Sequence, residues 1–465
     1  MTIPCHSIRA QDELIIVSPH WEGIQYEFGV AFPAWYQART GRSITVRWRD
    51  MGGTSQIEKA LDATYKATPH TCGIDVFFGG GIDPFESQKA KGQLAPFKLP
   101  DEILREIPTH IGGFPIVDPD FTFYGAALSS FGILENRRVT RTVGLPPVET
   151  WEDLGQPALE GWVSSADPRK SGSVHMIYEI ILQAYGWEKG WDVIYRMSGN
   201  VKSFLQTSSS PTKEVTTGDA AYAVSIDING MTQQAFVGKD NVRFTIPRGV
   251  SVINPDGIAI LKGAPHRDAA EAFLIFAMSA PGQNLWMKPT GSPGGATRFG
   301  ITRMGVLPRD YQGDLTDLLV PLNPFAIDYP FHYDSPMGSK RWNVVNALIG
   351  QGVIDVHSHL RAAWRHLLTL PEPLRGPALA EFTRPLISEA EATELAAVWR
   401  KDKLRARRLE NEWMARSVER FKKLSAVSPQ PSANKTMALK LLPPVSPPQP
   451  ALAESRQPTA DSLTP

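Results

Sequence analysis

Between Glu13 and Gly81 the hydrophobic period of the chain switches back and forth between that of a strand and that of a helix, and this alternation restricts the fold more than any other feature. "ELIIVSP" is a short apolar strand, and the following "HWEGIQYEFGVAFPAWYQART" carries Ile24, Phe28, Phe32, Trp35 and Tyr36 at helical spacing. "SITVRWRD" alternates as a strand, "MGGTSQIEKALDATYKA" supplies a glycine turn, a cap and a helix, and "GIDVFFGGG" is a short apolar strand ending in glycines. Strands joined through helices lie parallel, so the expected class is α/β, with a mostly parallel sheet covered by helices. A second such set follows in "EGWVSSADP", a long apolar helix, and "NVKSFLQTSSSPTKEVTTGDAAYAVSID". "FTFYGAALSSF" (121–131) reads as an extended crossover into it, and "VRFTIPRGVSVINPDGIAIL" as the return.

The chain has 465 residues, enough for two or three domains. Its 48 Lys and Arg balance 48 Asp and Glu, so no global field recruits nucleic acid or an anionic membrane, and electrostatic recognition must be local. Cys5 and Cys72 fit neither a zinc-site spacing nor a disulfide framework. No apolar run approaches the ~20 residues that span a bilayer. The opening has no apolar signal core, yet "SIRAQDELIIV" reads like the junction after a cleaved signal, so export from an upstream start is expected. Residues 1–12 are expected to be a flexible N-terminus, and the proline-rich stretch 425–465 a disordered tail.

One stretch, "SADPRKSGSVHMIYEIILQAYGW" (165–187), sets a proline, two cations and Ser-Gly-Ser directly before an apolar helix with Val174, Ile177, Ile180, Ile181 and Ala184 on one face. Two readings stand. Ser171 or Ser173 caps the helix and both cations are solvated; or the free amides of the first turn, with Arg169 and Lys170, hold an anion.

The order and wording of six phrases resemble the extracellular solute-binding proteins of ABC transporters, the type 2 periplasmic group that includes ferric-ion binding proteins. They are "LIIVSPHWEG", "MGGTSQ", "DVFFGGG", "DPRKSGSVHMIYEIILQAYGWEKGW", "TTGDAAYAVSID" and "NPDGIAILKGAPHRDAAEAFLIFAMSAPGQ". The resemblance, over roughly Glu13 to Leu368, implies a two-lobed fold with two parallel-rich sheets joined by a two-strand hinge. It divides the chain into 13–125 (first lobe, first part), 126–249 (second lobe) and 250–370 (first-lobe return and helices), with 371–424 as a C-terminal helical extension. It implies a small-molecule or ion ligand in the cleft, a membrane permease as partner, an extracytoplasmic location, a monomer, no cofactor and no catalysis.

Because α/β pockets form at the carboxyl ends of strands, the expected first-lobe lining is Ser18, His20, Trp21 and Glu22, then Gly53, Thr54 and Ser55, then the turn around Gly80. Arg169, Ser171, Gly172 and Ser173 face them from the second lobe, with Tyr222 and Asp227 near the return crossover. Ferric-binding relatives present adjacent tyrosines; here "AAYAVSIDING" has Tyr222 alone, so an anionic solute or an iron chelate suits the site better than naked iron. Arg169, with its planar fork, is expected to grip the anion while Lys170 points elsewhere.

Two enzymatic readings compete. Asp355, His357 and His359 have the Asp-x-His-x-His spacing of metal-dependent amidohydrolases, but too little chain follows to build a barrel, and the motif runs into a helix. Cys72 with His70 or His20 as base could act as a nucleophile on the same fold, but it precedes its strand and so belongs at the sheet end opposite the cleft.

Overall fold

The computed structural model describes residues 12–327 and 330–427. Its strands are β1 (Asp12–Val17), β2 (Ile44–Arg49), β3 (Val76–Phe78), β4 (Leu94–Ala95), β5 (His110–Ile111), β6 (Phe114–Pro115), β7 (Tyr124–Asn136), β8 (Val163–Ala166), β9 (Val201–Leu205), β10 (Tyr222–Ile226), β11 (Val242–Thr245) and β12 (Ile253–Leu261). The main hydrogen-bonded order is β2-β1-β3-β12-β7-β10-β8-β9. β1 pairs parallel with β2 and β3, and β8 parallel with β9 and β10, so each lobe has the expected parallel core. The antiparallel members are the crossovers. β7 pairs through residues 124–130 with β12, and through its far end with β10 and β11.

This division follows from burial. The crossover read from the sequence as 121–131 is longer, and every residue of β7 except Glu135 is buried, as a strand covered on both faces requires. The helices Glu22–Thr40, Arg267–Met278 and Ala280–Met287 cover one face of the first sheet. There Phe28, Phe32, Phe78, Phe273 and Trp286 form an aromatic core, with Phe28 and Trp286 centroids 4.7 Å apart. In the second lobe the helices Gly172–Tyr185 and Trp187–Asn200 do the same work. The first of these is buried almost all round, which explains its continuous apolar sequence.

Of the stretch 250–370, expected as the first-lobe return and helices, residues 253–327 pack with the first lobe, and the chain beyond touches both lobes. After Ile327 the chain crosses between lobes a third time. Tyr333 stacks on Phe114 of the first lobe at 4.9 Å, and Ser335 donates to Asp83 there at 2.7 Å. Asp334 exchanges hydrogen bonds with Gln183 of the second lobe, whose Oε1 accepts from the Asp334 amide at 2.7 Å. The helix Ser335–Ile349 packs against both lobes, and the helices His357–Thr369, Glu372–Thr383, Glu389–Val398 and Lys403–Ser425 follow it on the second-lobe side. Trp364 lies over Gly199, where an added Cβ would meet its ring at 2.5 Å, and donates to Asn200 at 2.8 Å. Arg420 donates to the Tyr195 hydroxyl at 2.8 Å, and Arg341 is bound to the buried Glu179. The first eleven residues and the tail beyond Val427 lie outside the described residues.

Candidate functional site

A cleft of about 690 Å³ opens where the strand ends of the two lobes face each other. From the first lobe it is lined by His20 and Trp21 after β1, by Gly53, Thr54, Ser55 and Lys59 after β2, and by Gly80 and Gly81 after β3. The second lobe contributes 169–173, Gln206 to Ser209, and Ile228 with Asn229. Helices begin at Thr54, Gly172, Ser210 and Asp227, so four helix N-termini stand around one volume. Two of these starts touch. A Cβ added at Gly53 would stand 3.5 Å from the Lys170 carbonyl, and one at Gly172 would stand 3.6 Å from Thr54. Ser171 caps its helix by accepting from the Val174 amide, and its hydroxyl lies 3.1 Å from that of Ser173. The hydroxyls of Ser55 and Ser129, both in the lining, are buried with no partner among the described residues.

The floor is organised by a residue the sequence reading passed over. Asp256 accepts from the Gly80 and Gly81 amides at 2.6 and 2.8 Å, from His20 Nε2 at 2.7 Å, and from the buried Arg303 guanidinium. Burial works to raise its carboxyl, but the Arg303 charge, then His20 and the loop amides, outweigh it and hold it well below the usual carboxylate range. Burial also lowers His20 against the opposing pull of Asp256, to which its Nε2 donates. Glycines are required in this loop. Gly80 has φ 109°, and a Cβ there would meet Thr54 Oγ1 at 2.8 Å.

Arg169 does not have a free fork. Its guanidinium is gripped by two carboxylates: Nε and Nη2 donate to Asp167, and Nη1 and Nη2 donate to the two oxygens of Asp355, each at 2.8 Å. Arg169 and Lys170 both line the cleft, and the free fork expected of Arg169 is instead paired with Asp167 and Asp355. Arg169 ties its loop to Asp355, just before the helix His357–Thr369, and exposed Lys170 has its ammonium on Gln206 Oε1.

Of the other expected positions, His20, Trp21, Gly53, Thr54, Ser55, Gly80, Ser171, Gly172 and Ser173 line the cleft. Four do not. Ser18 accepts from the His20 amide at 3.1 Å and shapes the turn, and Glu22 lies exposed in the first turn of its helix. Tyr222 is buried with its hydroxyl on the Pro146 carbonyl at 2.8 Å. Asp227 turns inward to accept from the Ser130 amide at 2.6 Å and from the Ile228 amide at 2.7 Å, and burial pushes its carboxyl up to about 7. The lining also holds Asn254, Asp256, Arg303 and Trp342, none foreseen. A signal existed for two of these: Asn and Asp are poor strand formers, and "INPDGIAIL" sets both in a strand.

The rival catalytic sets are dispersed. Asp355 is committed to Arg169, His357 Nε2 donates to the Ser198 carbonyl at 3.1 Å, and burial lowers that ring to about 4. Among the described residues no group of three or more His, Cys, Asp or Glu side chains could hold a metal. Burial pushes the Cys72 thiol up, away from the reactive thiolate, and Cys72 is not in the lining.

The protein is similar to the phosphoglycerate transport regulatory protein PgtC of Salmonella typhimurium, with 30% identity over 165 residues, 35% of this chain and 40% of that protein. The chain thus matches well under two thirds of that relative's length. Its fold is similar to that of the periplasmic binding protein AfuA from Actinobacillus pleuropneumoniae, solved with fructose-6-phosphate bound (TM-score 0.58, 18% identity, 74% of this chain and 99% of that one). It is also similar to that of the apo ferric ion-binding protein A of Pasteurella haemolytica (TM-score 0.56, 14% identity, 73% and 97%). Residues 72–301 match the family described as bacterial extracellular solute-binding protein.

Proposed function

We propose that the protein captures a small phosphorylated organic anion from outside the cytoplasm and delivers it to the permease of an ABC transporter. The observation that carries this reading is the meeting of the Thr54 and Gly172 helix starts across the cleft, beside the unpartnered Ser55 hydroxyl. Convergent amides and hydroxyls of this kind favour an oxyanion. The buried arginine of the cleft floor is already neutralised by Asp256, and Arg169 by Asp167 and Asp355, so a bound anion draws on the helix starts, Lys59 and Lys170. Asn229, Asn254 and the Trp21 and Trp342 rings offer hydrogen bonds and apolar faces to the organic part. A phosphoglycerate transport protein and a fructose-6-phosphate binder among the similar proteins support the same class.

Thermal shift followed by titration calorimetry tests this with 3-phosphoglycerate, fructose 6-phosphate, inorganic phosphate, glycerate, fructose and ferric citrate. A ligand that binds only the folded form raises the melting temperature. Stabilisation by a phosphate ester and none by its unphosphorylated counterpart is expected. Equal response to both members of a pair, or response to ferric citrate alone, overturns the reading.

A further inference from the structure

The charge run at 400–408, "RKDKLRARR", reads from the sequence as a solvated face, and the structure gives it a more specific character. Lys401, Lys403, Arg405, Arg407 and Arg408 are all exposed, and none has a carboxylate within ion-pair distance among the described residues. Elsewhere on the same helix Arg416 pairs with Glu412 and Lys423 with Glu419. The helix Lys403–Ser425 is held to the body by its inner row, with Trp413, Ser417, Arg420, Phe421 and Leu424 buried. This fixes the opposite face outward. Residues at i, i+4 and i+11 share a face, so Leu404, Arg408 and Ala415 stand opposite the buried row, and Lys403, Arg407 and Met414 run along its flank. Leu404 is 75% exposed and stands uncovered among the cations, and Met414, 37% exposed, lies further along the flank.

We infer that this outward face docks on the surface of an anionic phospholipid bilayer. Alkyl side chains among cations match such an interface, where the apolar groups enter the headgroup boundary and the cations meet lipid phosphates. An acidic protein surface would satisfy the cations but leave Leu404 and Met414 without an apolar counterpart. The chain as a whole is neutral, so the attraction belongs to this patch and not to a general affinity for polyanions. None of these residues lines the cleft, and the inference stands or falls independently of the solute.

Vesicle co-sedimentation of the full chain tests it, with phosphatidylcholine vesicles compared with vesicles containing about one third phosphatidylglycerol. Each cation near such a surface contributes roughly fivefold in partitioning. Binding to the anionic vesicles should exceed binding to the neutral ones more than tenfold and be abolished by high salt. The triple variant Lys403→Ser, Arg407→Ser, Arg408→Ser should lose at least tenfold, and Leu404→Ser severalfold, at unchanged melting temperature. Wild-type binding that ignores lipid charge, a triple variant that binds as wild type, or retention on immobilised polyglutamate without vesicle binding overturns the inference. The lipid and salt comparisons use the wild-type chain and hold even if a variant folds poorly.

Discussion

Asp256 and Asp227 are both fully buried aspartates beside the same cleft, and the fold treats them in opposite ways. Asp256 meets a guanidinium, a ring N–H and two backbone amides, and it is ionised. Asp227 meets a hydroxyl and two amides, with Arg303 acting only through space, and burial raises it to about 7. The contrast shows that a contacting counter-charge, more than the number of hydrogen bonds, decides whether a buried carboxylate keeps its charge.

The largest effect should come from Asp256→Ala, which strands the Arg303 charge and leaves two loop amides and His20 without an acceptor. Removing one partner of a buried pair costs about 3–5 kcal/mol, read by urea denaturation. A loss below about 1 kcal/mol would break the comparison.

The second test is pH. Between the unfolded aspartate value near 4 and about 7 in the fold, the folded chain keeps the Asp227 and Asp83 protons that the unfolded chain has released. Their contribution is therefore full at low pH and falls as pH rises through this window, by at most about 1.4 kcal/mol per pH unit for each group. Asp256 has the opposite sign, stabilising above the unfolded value and losing that contribution as pH falls below it. Asp227→Asn should flatten the slope between pH 4 and 7 in denaturation series. An unchanged slope would remove Asp227 from the comparison.

A half-exposed version of the same chemistry is Arg169. Asp355→Ala and Arg169→Ala should each cost about 1 kcal/mol after solvent screening, and the double variant should cost little more than either alone. Full additivity in thermal melts would mean the pair is not coupled. Smallest in stability is Lys170→Ala, within about 0.5 kcal/mol, while calorimetry with a phosphate ester should show weakened binding. Unchanged affinity would take Lys170 out of the site.

The elements were legible because they are local. The βα order, the Ser171 cap and the glycines after β3 follow from residues within a few positions of one another, and the structure places all of them as read. The partnerships were not. Nothing near Arg169 announces Asp355, which lies 186 residues away, and a guanidinium at a helix start looks free until its carboxylates are found. Asp256 was readable as a strand residue but not as a hub, since His20 and Arg303 come from distant segments. Tyr222 and Asp227 were placed in the cleft by proximity to the crossover, whereas their orientation is set by the Pro146 carbonyl and the Ser130 amide.

The third passage of chain between the lobes, anchored by Tyr333 on Phe114 and by Asp334 on Gln183, bears on how the molecule moves. Two neighbouring strands form a swivel, free to bend and to twist. A further tether away from that axis converts the swivel into a door that turns about one line. Three passages leave the two lobes fewer relative arrangements than two would.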